Sequence, residues 1–155
     1  MIRLVAMDVD GTLTDGSFYM DGAGNEFKRF YVRDGYGIVA LLRAGVEVAF
    51  ISGRRSEATE RRARDLGVRR VLNGTPDKLP DLVAMAGELG LDAAEVAFLG
   101  DDLPDLACIA WAGLGVAVAD ADARVAAVAD FVTRSPGGRG AVREAADHIL
   151  RLNSA

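Results

Sequence analysis

The 155-residue chain has one cysteine, one histidine and one tryptophan, and its 18 Lys and Arg are outnumbered by 23 Asp and Glu. A single cysteine, Cys108, excludes an intrachain disulfide and makes the cytoplasm the expected setting. No apolar run approaches the roughly 20 residues that a membrane-spanning helix needs, so no membrane partner is expected. The formal net charge of −5 argues against a nucleic-acid binder, which normally presents a basic stripe. Basic residues gather instead in one island: Arg54, Arg55, Arg61, Arg62, Arg64, Arg69 and Arg70. Most of these belong on the solvated face of a helix, leaving one or two to meet an anion. Residues 1–8 read as a strand rather than a secretory leader, because two aspartates interrupt the apolar run early.

What is present fits one soluble domain over 1–155, with 50% hydrophobic and 26% charged residues. Apolar runs alternate with helical patterns, which predicts an α/β fold with a mainly parallel sheet flanked by helices. Strands are expected at 2–9, 46–51, 69–72, 95–99, 115–118 and 131–132. Helices are expected at 34–44, 56–66, 77–89, 103–110, 121–129 and 141–152, the last entered through a Gly-rich turn at 136–140. Residues 14–32 have a different texture. Two aromatic, partly alternating runs flank Asp21-Gly22-Ala23-Gly24-Asn25, which predicts a β-hairpin inserted between the first strand and the first helix.

The chain is organised around Asp8-Val9-Asp10-Gly11-Thr12, at the end of the first apolar run. Alternation along a strand puts Asp8 and Asp10 on one side, and Gly11 lets the backbone turn away. Two carboxylates this close repel unless one keeps its proton or a cation lies between them, and Mg²⁺ suits that place. An ordinary Asp-Gly turn with solvated aspartates explains this stretch alone equally well. The other strand ends tip the balance. Ser52, Asp101 and Asp102 each follow an apolar run, Lys78 opens a helix between them, and ligands in parallel sheets bind beyond such ends.

Each residue then has a role. Asp8 is the candidate nucleophile, its carboxylate attacking phosphorus, and Asp10 is the candidate general acid and base. Asp8, Asp10 and Asp101 hold the metal, with Asp102 and Asp105 in support. Ser52 donates to a phosphate oxygen, and Lys78 pairs with the phosphate and Asp8. Cys108 and Trp111 are expected to pack, His148 to face the dipole at the end of the last helix, and Asp120 and Asp122 to form a turn and an N-cap.

Four motifs, Asp8-Val9-Asp10-Gly11-Thr12, Ser52, Lys78 and Gly100-Asp101-Asp102-Leu103-Pro104-Asp105, resemble those of the haloacid dehalogenase superfamily of phosphatases. Adding Asp15-Gly16, Val32-Arg33-Asp34-Gly35-Tyr36-Gly37-Ile38, Ser52-Gly53-Arg54 and Gly137-Gly138-Arg139-Gly140-Ala141-Val142-Arg143-Glu144, the chain looks like the 3-deoxy-D-manno-octulosonate (KDO) 8-phosphate phosphatases of lipopolysaccharide synthesis. That resemblance implies a Rossmann-like, cap-less, Mg²⁺-dependent homotetramer assembled through the hairpin, with a tail able to reach a neighbour's site.

The spacing agrees about the cap, since no lid domain fits between Asp10 and Ser52 or between Ser52 and Asp101. Phe18, Tyr19, Phe27, Phe30 and Tyr31 on a bare ribbon call for a partner surface. Gly53, Arg54 and Arg62 are the candidates for binding a sugar acid, since arginine matches a carboxylate. In relatives acting on KDN 9-phosphate, a nine-carbon sugar acid, a glutamate replaces the arginine that stands here at Arg54. The alternatives are a phosphatase for KDN 9-phosphate or N-acylneuraminate 9-phosphate, a phosphotransferase, or a non-catalytic binding module.

Overall fold

Every side chain of strand β1 (Leu4–Met7) is buried, Leu4 and Ala6 on one face of the sheet, Val5 and Met7 on the other. A strand apolar on both faces needs cover on both, and that requirement sets the architecture. The computed structural model describes residues 1–155. β1 lies between β4 (Glu47–Ser52) and β6 (Val96–Gly100) in a six-stranded sheet of order β5-β4-β1-β6-β7-β8. All neighbours are parallel, with β5 at Arg70–Asn73, β7 at Leu114–Ala117 and β8 at Phe131–Val132.

Helices α1 (Val32–Arg43) and α6 (Ala141–Ser154) cover one face, burying Ile38, Leu41, Val142, Ala145 and Ile149 against Val5, Met7, Val48 and Phe50. Helix α2 (Glu57–Leu66) joins that side through Ala63, with Arg61 and Arg64 exposed as the basic island predicted. Helices α3 (Lys78–Glu88), α4 (Leu106–Trp111) and α5 (Ala123–Val128) cover the other face with Leu82, Cys108, Ile109 and Val125. Burial pushes the Cys108 thiol up to about 12, as befits a core residue.

The hairpin is present and stands apart from the main sheet. Its strands β2 (Tyr19–Met20) and β3 (Glu26–Phe27) pair antiparallel, Tyr19 opposite Phe27. Its turn is closed by Asp21, whose Oδ1 accepts from the backbone N–H groups of Ala23 and Asn25, both at 2.9 Å. Phe18, Tyr19, Met20 and Phe27 are exposed, but Phe30 and Tyr31 are half-buried, Phe30 against the core. Between Asp10 and Ser52 the chain forms only this hairpin and α1. Between Ser52 and Asp101 it forms α2, β5, α3 and a single 3₁₀ turn before β6. No separate cap domain is inserted.

Three sequence expectations change. β1 ends at Met7 rather than Val9, because the chain leaves the strand in a turn with non-helical backbone at Asp10 and Gly11, closed by Thr14 N–H donating to Val9 O at 3.0 Å. The helix expected from 103 opens as a 3₁₀ turn, Leu103–Asp105, with Pro104 in its first positions. His148 lies inside α6, which continues to Ser154, and its ring stacks on Phe131 at 4.2 Å rather than facing the helix end. Asp122 caps α5 as expected, accepting from Arg124 N, and its bonds with the Arg124 side chain hold its carboxyl down at about 2.

Candidate active site

A cleft of about 270 Å³ opens at the carboxyl ends of β1, β4 and β6, lined by Asp8, Asp10, Gly53, Arg54, Lys78, Asp101, Asp102, Pro104 and Asp105. Four separate stretches of sequence meet there because parallel strands deliver all their carboxyl ends to one edge. Seven of those nine lining residues are charged. Such a cleft is built for a charged, hydrated ligand.

Asp8 is 6% exposed and Lys78, the first residue of α3, 5%. Lys78 Nζ donates to Asp8 Oδ1 at 2.6 Å and to Asp105 Oδ1 at 2.7 Å. The other oxygen of Asp105 accepts from the backbone N–H groups of Asp101 (3.0 Å) and Asp102 (3.4 Å), tying the loop after β6 to itself. Asp102 caps the same turn, accepting from Leu103 N at 2.8 Å. Asp105 therefore spends its carboxylate on Lys78 and the loop.

Asp8, Asp101 and Asp105 place carboxylate oxygens within 4.8 Å of one another. Burial is the largest cause raising the Asp8 carboxyl, with the Asp105 charge adding to it and Lys78 opposing. Burial raises Asp101 as well, followed by a hydrogen bond with Asp8 and the charges of Asp8 and Asp105. Two carboxyls that share a proton in the absence of a cation are a donor pair for a hard divalent ion. With Asp105 committed elsewhere, Asp8 and Asp101 supply oxygens suited to Mg²⁺, the metal that accepts one or two carboxylates and completes its shell with phosphate and water. The residues fit the ion.

Gly11 makes this approach possible. Its φ of +94° belongs to a left-handed turn, and a Cβ there would collide with the Asp101 carboxylate. Thr12 Oγ1 steadies the same carboxylate at 3.4 Å. The Gly-rich turn packs behind: Gly138 N–H donates to Thr12 O at 3.2 Å, and a side chain at Gly137 would collide with Gly11 O. Arg29 donates to Gly138 O at 2.8 Å, and buried Asp34 accepts from Arg143 N at 3.0 Å. These contacts join hairpin, first helix and last helix around the Asp8 turn, and the sequence reading did not anticipate them.

The remaining sequence candidates separate. Asp10 borders the cleft from the turn after β1 rather than from a strand; its carboxylate accepts from Lys28 Nζ at 2.7 Å and does not join the Asp8–Asp101–Asp105 cluster expected to include it as a metal ligand. Ser52 is buried at the end of β4, its hydroxyl donating to Arg54 O at 2.9 Å, while Gly53 and Arg54 form the wall. Arg54 lies 4.2 Å above the Phe18 ring and pairs with Glu26 of the hairpin. Arg62 is not on the wall; it lies over Phe30 at 5.6 Å, packed against Gly35. Glu26 and Lys28 were missed. Their signal was two charges spaced by two in an aromatic ribbon, which alternation turns to one face.

The family of haloacid dehalogenase-like hydrolases matches residues 70–145. The chain is 47% identical to the KDO 8-phosphate phosphatase KdsC of Yersinia pestis over 149 residues, 96% of this chain and 80% of that protein. The Escherichia coli K12 phosphatase of the same name is 46% identical, over 96% and 79%. Among solved structures, the KDO 8-phosphate phosphatase of Moraxella catarrhalis, determined with magnesium, phosphate and KDO, superposes with a TM-score of 0.95 at 44% identity, over 97% of this chain and 86% of that one. With its parallel sheet, cap-less cleft and facing aspartates, the chain belongs to the haloacid dehalogenase superfamily of hydrolases. Within that superfamily it is a member of the KDO 8-phosphate phosphatase family.

Proposed function

We propose that this chain is a Mg²⁺-dependent phosphatase that hydrolyses KDO 8-phosphate to KDO and phosphate through an aspartyl-phosphate on Asp8. The observation that carries the reading is the buried Asp8–Lys78–Asp105 contact beside Asp101, in a fold matching an enzyme solved with magnesium, phosphate and KDO. An Asp8 oxygen attacks phosphorus, and the bond from phosphorus to the sugar oxygen breaks. Asp10 gives its proton to that leaving oxygen, then takes one from the water that attacks the aspartyl-phosphate, releasing phosphate and restoring Asp8. Lys78 holds Asp8 in line and offsets phosphoryl charge, and the Ser52 hydroxyl turns from Arg54 O to a phosphate oxygen. Mg²⁺ held by Asp8 and Asp101 would neutralise the charge on the phosphoryl group.

Gly53 and Arg54 meet the sugar acid at the rim, where a guanidinium can grip its carboxylate. Arg62 props the hairpin through Phe30. The catalytic unit spans 1–155 and works in the cytoplasm as a homotetramer joined through the hairpin. Assembly is supported by the exposed Tyr19, Met20 and Phe27 of a two-stranded ribbon, an element marginal on its own.

Phosphate release from KDO 8-phosphate and KDN 9-phosphate, with and without Mg²⁺, tests the reading in wild type and Asp8→Asn. Mg²⁺-dependent turnover favouring the eight-carbon substrate is expected, with Asp8→Asn down by about 10³-fold or more. Preference for KDN 9-phosphate would reassign the substrate. Turnover surviving in Asp8→Asn would remove the covalent mechanism.

A further inference from the structure

The hairpin enters the cleft's chemistry through one residue. Lys28 follows β3, and its side chain has no exposed surface. Its close charged partners are Asp10 Oδ1 at 2.7 Å and Glu26 Oε1 at 3.9 Å. A buried ammonium persists only where paired charge compensates its lost hydration. Lys28 does not line the cavity; it stands behind Asp10, which does. It is also the only hydrogen-bond donor to the Asp10 carboxylate. Asp10 sits in a turn beside Gly11, so no regular strand or helix ladder fixes its direction.

The ribbon is held so that Lys28 arrives there. Glu26, on the same inner face, pairs with Arg54 and accepts from Ser56 Oγ at 3.1 Å, while Phe27 between them points outward, 62% exposed. The insertion is thus fastened at two points to the domain that carries it. One fastening is on the rim and the other is on Asp10.

We infer that Lys28 is a positioning residue for the reaction: it fixes the direction in which the Asp10 carboxyl faces the leaving oxygen and the attacking water, making the hairpin part of the catalytic apparatus. The inference rests on the acid–base role of Asp10 proposed above. Lys28 gives up no proton; those that move pass between Asp10, the leaving oxygen and water. A displacement of about 1 Å in such a group costs on the order of 10²-fold in rate, which makes a single aiming contact measurable.

The test compares Lys28→Met, Lys28→Arg and Asp10→Asn with wild type, reading kcat and KM for KDO 8-phosphate at saturating Mg²⁺ together with Tm. Lys28→Met is expected to lower kcat by about 10- to 100-fold with KM within about threefold and Tm nearly unchanged, and Lys28→Arg to recover much of the loss. A contact that only anchored the hairpin would move KM or Tm instead. A kcat within about twofold of wild type in Lys28→Met, or a loss confined to KM, overturns the inference. If Lys28→Met does not fold, Lys28→Gln, polar but too short to reach Asp10, is read by the same criterion. An active Asp10→Asn removes the acid–base reading itself, whereas an inactive Asp10→Asn beside a normal Lys28→Met sinks the inference alone.

Discussion

Asp101 shows how one residue couples metal binding, stability and pH. Its carboxyl and that of Asp8 are raised from the ordinary aspartate value of 3.8, so the metal-free folded chain holds their protons more tightly than the unfolded chain does. The stability from these neutral carboxyls is therefore present at low pH and lost as pH climbs from 3.8 through the raised values. Mg²⁺ held by this pair would replace the proton and reverse that loss. Mg²⁺ should thus raise Tm more at about pH 8 than at about pH 5.5, measured by thermal scanning with EDTA as the metal-free reference. In Asp101→Asn the metal-free Tm at about pH 8 should rise, the Mg²⁺ response should flatten, and kcat/KM should fall by about 10²-fold or more. An equal Mg²⁺ gain at both pH values would show that proton and metal do not compete for this pair.

At the scale of elements, the short central strand and the two helices behind it divide the work of stability and catalysis. Ile149 of α6 is fully buried against the face that carries Ile38 and Leu41 of α1, and it lies far along the helix from the Gly-rich turn. Ile149→Ala should cost about 2–5 kcal/mol by urea unfolding while leaving kcat close to wild type. A large loss of kcat at full stability would mean that α6 steers the cleft as well as covering the sheet.

Most elements could be read from sequence, because apolar runs, helical periodicity and glycine stops are local signals. The end of β1 could not. Val9 continues the apolar run, and the chain leaves the strand after Met7 because Gly11 must bring its backbone beneath Asp101, a residue 90 positions away. Phe30 was read as exposed for a similar reason, since α1, α2 and Arg62 gather under it only once folded.

For the whole molecule, the ribbon has two faces with different duties. The inner one closes on the cleft through Glu26 and Lys28; the outer one leaves Tyr19 and its cross-strand partner Phe27 exposed. The double substitution Tyr19→Ser with Phe27→Ser should shift the mass seen by light scattering from a multimer toward a monomer, with the far-UV spectrum retained. A wild-type chain that is monomeric at assay concentrations would remove the role proposed for this face.

The sequence by itself determined the α/β class, the order of strands and helices, the hairpin, and the candidates Asp8, Lys78 and Asp101 that line one cleft, because each rests on residue type and short-range period. It also determined the family, since those motifs recur in order along the chain. Tertiary structure decided which groups meet: that Asp105 answers Lys78, that Arg54 reaches the cleft while Arg62 does not, and that Lys28 stands behind Asp10. These depend on distances between residues far apart in the chain, which become short only when the sheet forms and its two faces are covered.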